Sequence, residues 1–235
     1  MDTIILGAGG HGRVVLDILA AAKTYKPVGF LDNNAQLHGR RIDGLPVLGG
    51  IDSLTEVRKH GVAKAVVAIG DNGVRRAMGD LVEREGLELV CAVHPSAQLA
   101  GNASLGKGVV IAAGALVCAH CQIGDYAILN TGCIIDHESM IGTCAHICPG
   151  VRLAGHVVVE SGAFIGIGAT VVQNTRVGFE AVVGAGAVVI ENVEPMTTVV
   201  GVPAKVVKDT PSAAEFAALL APAGMSNLRD SIRAT

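Results

Sequence analysis

The chain of 235 residues carries a formal net charge of −3, which gives no basis for binding nucleic acid or an acidic membrane surface. Half of its residues are hydrophobic, yet Trp is absent and aromatics make up only 3%, so any core must be aliphatic and thin. No apolar run approaches the ~18 residues of a membrane span, and the first residues read as a strand rather than a signal peptide. A cytoplasmic protein is the expectation.

Residues 1–92 read as a small Rossmann-like α/β domain. Residues 3–6 predict a strand, residues 7–12 (Gly-Ala-Gly-Gly-His-Gly) a glycine loop, and residues 13–23 a helix with Val14, Val15, Ile18 and Leu19 at helical spacing. A second strand over 27–31 ends at Asp32 and Asn33. A short strand is expected at Val47 and Leu48, followed by a helix capped by Asp52 and running to about Lys59. Residues 65–69 predict a buried strand ending at Gly70. Asn72 is placed to start a helix through about Arg84, and residues 87–93 predict the last strand. Such alternation implies a parallel sheet with helices on its faces.

Strand, glycine loop, helix, strand and acidic residue is a nucleotide-binding order. Glycines let the backbone approach a phosphate, and the helix N-terminus offers free N–H groups to it. The plain alternative is a structural tight turn. The domain is too short for a full dinucleotide fold, so a mononucleotide is favoured over NAD.

From Val93 to Val189 every sixth residue is Val, Leu or Ile, without a slip. Four residues after each stands a small or β-branched residue, among them Ala97, Ala103, Val109, Ala115, Cys121, Ala127 and Cys133. A period of six fits neither a helix nor an alternating strand. It fits short strands joined by tight corners and stacked into a solenoid. The third residue after the anchor is Gly at 108, 114, 132, 150, 162, 168 and 186 and Asn at 102, 174 and 192, which marks corners of positive φ. The solenoid is expected to run to about Asn192 and to end at Pro195. A short helix is expected over 213–220 in a C-terminal tail, 209–235.

Six cysteines are present at 91, 118, 121, 133, 144 and 148. The Cys118/Cys121 pair has no second CxxC, so reduced thiols used as small hydrophobes are expected in preference to zinc or disulfides.

Polar residues gather in the middle of the repeat: Asn130, Asp136, His137, Glu138, His146 and His156. His137 and Glu138 fall at a corner, and Glu138 takes a slot that favours Gly or Asn. Such local exceptions mark function. An imidazole beside a carboxylate is held in one tautomer and stabilised when protonated, the arrangement of a general base. With 18 residues per coil, His120, Glu138 and His156 stack in one column. That column also has a plain reading, a polar solvent-facing edge.

Taken in order, Gly9-Gly10-His11, residues 30–33 (Phe-Leu-Asp-Asn), residues 68–72 (Ala-Ile-Gly-Asp-Asn), Asn130-Thr131-Gly132, Asp136-His137-Glu138, His146 and residues 201–205 (Gly-Val-Pro-Ala-Lys) resemble the hexapeptide-repeat sugar acetyltransferases. The likeness is to the sialic acid O-acetyltransferase family and the bacillosamine-pathway N-acetyltransferases, and it covers residues 1–208. It implies a left-handed parallel β-helix over 93–208, acetyl-CoA as co-substrate, no metal, and a homotrimer. It implies His137 as the catalytic base and Glu138 as its partner acid. It implies a nucleotide-sugar pocket at Gly9, Gly10, His11, Asp32, Asn33, Gly70 and Asn130. It implies acetyl-CoA contacts at His146, Gly155, Ile167 and Ala185. Asn33 departs from the N-acetyltransferase pattern, which has a second Asp there. The expected reaction is acetylation of the amine of a UDP- or GDP-linked 4-amino-4,6-dideoxy sugar. The alternative is O-acetylation of sialic acid or a related sugar. A zinc hydratase of the γ carbonic anhydrase type, also a left-handed β-helix, would need a third histidine where Ser161 stands. A non-catalytic assembly protein would have no use for the His-Glu corner.

Overall fold

The structure is a computed structural model and describes residues 1–209. The helix expected over 213–220, and all but the first residue of the tail expected over 209–235, lie outside the described residues. Strands β1 (Asp2–Leu6), β2 (Lys26–Leu31), β3 (Arg41–Ile42), β4 (Leu45–Gly49), β5 (Lys64–Val67) and β6 (Glu88–Leu89) form a sheet in the order β3-β4-β2-β1-β5-β6. All neighbours are parallel except β3 and β4, a hairpin that the sequence pattern did not announce. Ile4, Ile5, Leu6, Ala65 and Val66 are fully buried, as central parallel strands covered on both faces must be.

Helices α1 (Gly10–Ala22), α2 (Leu54–Lys59) and α3 (Asn72–Arg84) cover this sheet. The glycine loop is shorter than expected. Gly9 is the cap of α1, and Gly10, His11 and Gly12 form its first turn. A Cβ on Gly12 would collide with the Gly7 carbonyl, so this close approach of helix to loop requires glycine. Asp52 caps nothing: it lies inside a 3-10 turn, Ile51–Ser53, and Ser53 precedes α2 without a side-chain cap. For α3 the cap is Asp71, whose carboxylate accepts the Val74 N–H at 2.8 Å.

The strand expected over 87–93 is two strands in different sheets. Glu88–Leu89 closes the first sheet, and Ala92–Val93 opens the solenoid by pairing with Val110–Ile111. From there two-residue strands stack every 18 residues into three parallel faces. The first face carries Val110–Ile111, Ile128–Leu129, His146–Ile147, Phe164–Ile165 and Val182–Val183. The second carries Gln98–Leu99 through Val188–Val189, and the third Ser104–Leu105 through Arg176–Val177. The second residue of each strand points inward, and from Ile111 onward all are buried. Each such aliphatic side chain contributes about 1.5–3 kcal/mol by leaving water. Ala115, Cys121, Ala127 and Cys133 fill the remaining interior, and all six cysteines are free thiols.

Every sixth residue from Gly108 to Gly186 has positive φ, including the non-glycine residues His120, Tyr126, Glu138, Cys144, His156, Asn174 and Glu180. Asn102 and Asn192 do not. They sit on the end coils, where their side chains accept the N–H groups of His120 and Arg176 instead. The ladder also does not stop at Pro195: Thr197–Val200 pairs in parallel with Val182–Val183 on the first face, and Lys205–Asp209 folds back antiparallel on it.

Candidate active site

The register of the first face decides what meets the N-terminal domain. Its outward-facing residues are Ala92, Val110, Ile128, His146, Phe164 and Val182. Val110 and Ile128 are buried against Ile5, Val15, Ile18 and Leu19 of the first domain. His146 is the next rung, at the edge of that contact, and is 8% exposed. Its Nδ1 lies 3.3 Å from the Gly70 carbonyl, and its Nε2 lies 3.4 Å from the Asn130 amide. The ring of His11 stands 6.4 Å away, and Phe164 packs edge-on at 5.1 Å. His11, Gly70, Asn130 and His146 therefore converge at one junction.

Burial, reinforced by the nearby Arg75 charge, pushes both His11 and His146 down to about 4, so both imidazoles are neutral at pH 7. The His11 Nε2 is buried and makes no hydrogen bond among the described residues. The first-turn N–H groups of α1 have no intrahelical partners, and Gly9 and Gly10 leave them exposed with no side chain in the way.

Arg75 was not singled out by the sequence, yet it holds this junction together. It is 1% exposed and uses its whole guanidinium. It donates to the carbonyls of Tyr126 (2.8 Å), Cys144 (2.7 Å), Ile69 (3.0 Å) and Gly70 (2.9 Å) and to Asn72 Oδ1 (2.7 Å). Burial lowers its pKa to about 10, still far above neutrality. It stands on the buried stripe of α3 with Gly79 and Val82, and that spacing was the available signal.

Asp32 and Asn33 are engaged by the fold itself. Asp32 accepts the Ala8 N–H through Oδ2 and the Asn34 N–H through Oδ1, both at 2.8 Å. Asn33 Oδ1 accepts the Ile51 N–H at 3.0 Å. These contacts fix the loops beside Gly9 and Gly10.

A second cluster occupies the corner between the second and third faces. Glu138, at φ 58, places one carboxylate oxygen 3.1 Å from His137 Nδ1 and 3.1 Å from His156 Nε2. A carboxylate only accepts, so in neutral His137 the proton sits on Nδ1 and Nε2 keeps its lone pair. Asp136 Oδ1 accepts the His137 N–H at 2.7 Å. The three side chains are about half exposed, at 51%, 50% and 50%. The column expected from the 18-residue spacing is real. Asn102 contacts His120 at 3.1 Å, and Glu138 contacts His156 at 3.1 Å.

The residues implied to line the acetyl-CoA groove divide between corners. Gly155 lies one coil beyond His137, in its column, directly under the imidazole. Ile167 and Ala185 stack with Thr131 at the other edge of the second face, both exposed. Asn130 sits at that same edge, and His146 one strand further on. The structure thus brings His137, Glu138 and Gly155 together, and separately His11, Gly70, Asn130 and His146. A groove of about 640 Å³ along the third face, lined by Met140, Glu160 and Phe179 among others, contains no member of either cluster. Among the described residues no helix is long and apolar enough to cross a membrane.

Comparison with known proteins gives a consistent picture. Residues 2–81 match the PglD N-terminal domain family. The chain is 37% identical to a perosamine N-acetyltransferase from Caulobacter crescentus, solved as a mutant with CoA and GDP-perosamine. That likeness has a TM-score of 0.85 and covers 89% of this chain and 98% of the other. The acetyltransferase domain of PglB from Neisseria gonorrhoeae, solved with acetyl coenzyme A, is 34% identical at a TM-score of 0.83, covering 88% and 98%. A UDP-N-acetylbacillosamine N-acetyltransferase of Bacillus subtilis is 33% identical over 116 residues, 48% of this chain. The chain spans about half the length of that curated relative (51%).

Proposed function

Because the chain belongs to the bacillosamine-pathway-type family of sugar N-acetyltransferases, we propose that it moves an acetyl group from acetyl-CoA to the amine of a nucleotide-linked 4-amino-4,6-dideoxy sugar. The carrier is UDP or GDP. The observation that supports this most is the His137–Glu138 pair, with Nε2 of His137 free over Gly155. In the reaction His137 Nε2 takes the proton of the amine as nitrogen attacks the acetyl carbonyl. The C–N bond forms, the C–S bond breaks, and CoA leaves as the thiol once protonated. Glu138 stabilises the imidazolium in between. A positioned base of this kind contributes roughly 10²–10⁴-fold.

The nucleotide sugar is assigned to Gly9, Gly10, His11, Asp32, Asn33, Gly70 and Asn130. The helix N-terminus faces the phosphates, and the unpartnered His11 Nε2 is a hydrogen-bonding group for the ligand. Acetyl-CoA is assigned to His146, Gly155, Ile167 and Ala185. Those assignments fall on opposite edges of the second face, which supports a site completed by a neighbouring copy, as in a homotrimer. Six free thiols fit a reducing, cytoplasmic setting.

A thermal-shift screen against UDP, GDP, CMP and acetyl-CoA tests the assignment. A specific ligand at a hundred times its Kd adds about 2.7 kcal/mol of stability. Shifts with acetyl-CoA and with UDP or GDP are expected. A shift with acetyl-CoA alone would move the acceptor to a sugar without a nucleotide.

A further inference from the structure

We propose that His137, Glu138 and His156 form a binding site for a divalent transition-metal ion of the zinc class, and that the ion switches the enzyme off. Among the described residues, this corner brings three potential ligand atoms within 4.8 Å of one another. The Glu138 oxygen is 3.1 Å from His137 Nδ1 and 3.1 Å from His156 Nε2. A tetrahedral ion with bonds of about 2.0–2.1 Å sets neighbouring ligand atoms roughly 3.3 Å apart. Both carboxylate–imidazole distances already match this, and the two imidazole nitrogens, within 4.8 Å of each other, close the remainder by side-chain rotation. The two imidazoles approach edge to face, with centroids 5.3 Å apart and planes at 89°, so the rings converge without stacking. All three side chains are half exposed, which gives an ion an entry path and leaves a coordination position for water. Asp136 beside them adds negative charge.

The donor set selects the ion. Two imidazoles and one carboxylate suit Zn²⁺, Ni²⁺ or Cu²⁺ and not Mg²⁺ or Ca²⁺, which prefer oxygen. The inhibitory consequence follows from the tautomer. Without metal, Glu138 holds the His137 proton on Nδ1 and leaves the Nε2 lone pair as base. A metal on Nδ1 needs the lone pair at that nitrogen, so the proton moves to Nε2, which then has nothing to accept a proton with. His156 undergoes the opposite shift, from Nε2–H to Nδ1–H. No proton is released, and nothing is oxidised or reduced. This consequence rests on the reading of His137 as the base, whereas uptake of the ion does not.

The test is equilibrium dialysis of Zn²⁺ into the full chain and into His156→Asn and Glu138→Gln, with acetyl transfer assayed on the same samples. Asn174 occupies the slot of His156 one coil on, at φ 59, so Asn suits the backbone there. The Gln variant is an independent second removal of one ligand. The expected result is one Zn²⁺ per chain in the native protein, at least tenfold weaker uptake in both variants, and inhibition that EDTA reverses. Equal uptake by all three proteins overturns the site. So does a Co²⁺ derivative with a thiolate charge-transfer band, which would place the ion on one of the six free cysteines. Uptake lost in both variants, in a protein inactive even without metal, supports the site and contradicts the catalytic reading. Uptake lost in the variants, with native activity unaffected by Zn²⁺, overturns the switch.

Discussion

Gly155 lies under the ring of His137 so closely that a Cβ there would stand 2.5 Å from Cε1 and 2.6 Å from Nε2. The absence of a side chain at 155 is what seats the proposed base. Gly155 has no positive φ, so alanine is compatible with the backbone and collides only with the imidazole. We expect Gly155→Ala to lower kcat about tenfold or more, within the range a displaced base can lose, while Tm stays nearly constant. Kinetics paired with a melting curve checks this, and an unchanged kcat would separate His137 from the chemistry.

His137→Ala and Glu138→Gln should differ in degree. Removing the base forfeits roughly 10²–10⁴-fold in kcat. Removing the carboxylate leaves the imidazole but frees its tautomer, so a smaller loss is expected. Both side chains sit on an exposed corner outside the aliphatic interior, so both variants should fold. Single-turnover rates on the two variants measure the ratio, and equal losses would contradict the division of labour.

The two neutral histidines of the junction make stability depend on pH. His11 and His146 titrate near 6.5 in an unfolded chain and at about 4 in the fold, because burial disfavours their charged forms and Arg75 adds to it. Between those values the unfolded state binds more protons, so stability rises with pH. It is therefore lost as pH falls from about 6.5 towards 4. The drop at the buried His146 corresponds to up to about 3 kcal/mol. Urea denaturation across pH 4–8 should show this slope, and a flat profile over 4–6.5 would contradict it.

Arg75 bridges the domains through five hydrogen bonds and has no carboxylate partner among them. Arg75→Met should cost about 3 kcal/mol or more, since it takes the guanidinium from the carbonyls of Tyr126, Cys144 and Ile69 and leaves Gly70 with the longer His146 contact at 3.3 Å. Arg75→Lys should rescue little, because an ammonium has three donors and no planar fork. NMR titration of His146 in Arg75→Met should show its pKa rising yet staying below 6.5, because burial is the larger cause.

The solenoid was legible because its physics repeats. A thin interior admits one aliphatic residue per strand, so the anchors from Val93 to Val189 recur with period six, and the 18-residue column of Glu138 and His156 follows from arithmetic. Local signals also placed β1, α1 and α3 within a few residues. What stayed hidden depends on contacts between distant segments. The strand expected over 87–93 reads as one apolar run, yet Leu89 and Ala92 belong to different sheets, and only pairing with β5 and with Val110–Ile111 divides it. Asn102 and Asn192 look like their equivalents within the repeat but occupy its ends, where the adjoining coil offers no regular partner. Arg75 reads as an ordinary charge on an amphipathic helix until the solenoid corners at Tyr126 and Cys144 present their carbonyls to it. His146 carries no local sign that its rung falls at the rim of the domain contact.

The most direct measurement is CoA release by the native protein and by His137→Ala, with acetyl-CoA and a GDP- or UDP-linked 4-amino-4,6-dideoxyhexose. CoA release is expected to require the amino sugar, and kcat to fall roughly 10²-fold or more in His137→Ala with the KM for acetyl-CoA retained. Native-like turnover by His137→Ala, or transfer to a hydroxy sugar and to no amine, would contradict the proposed reaction.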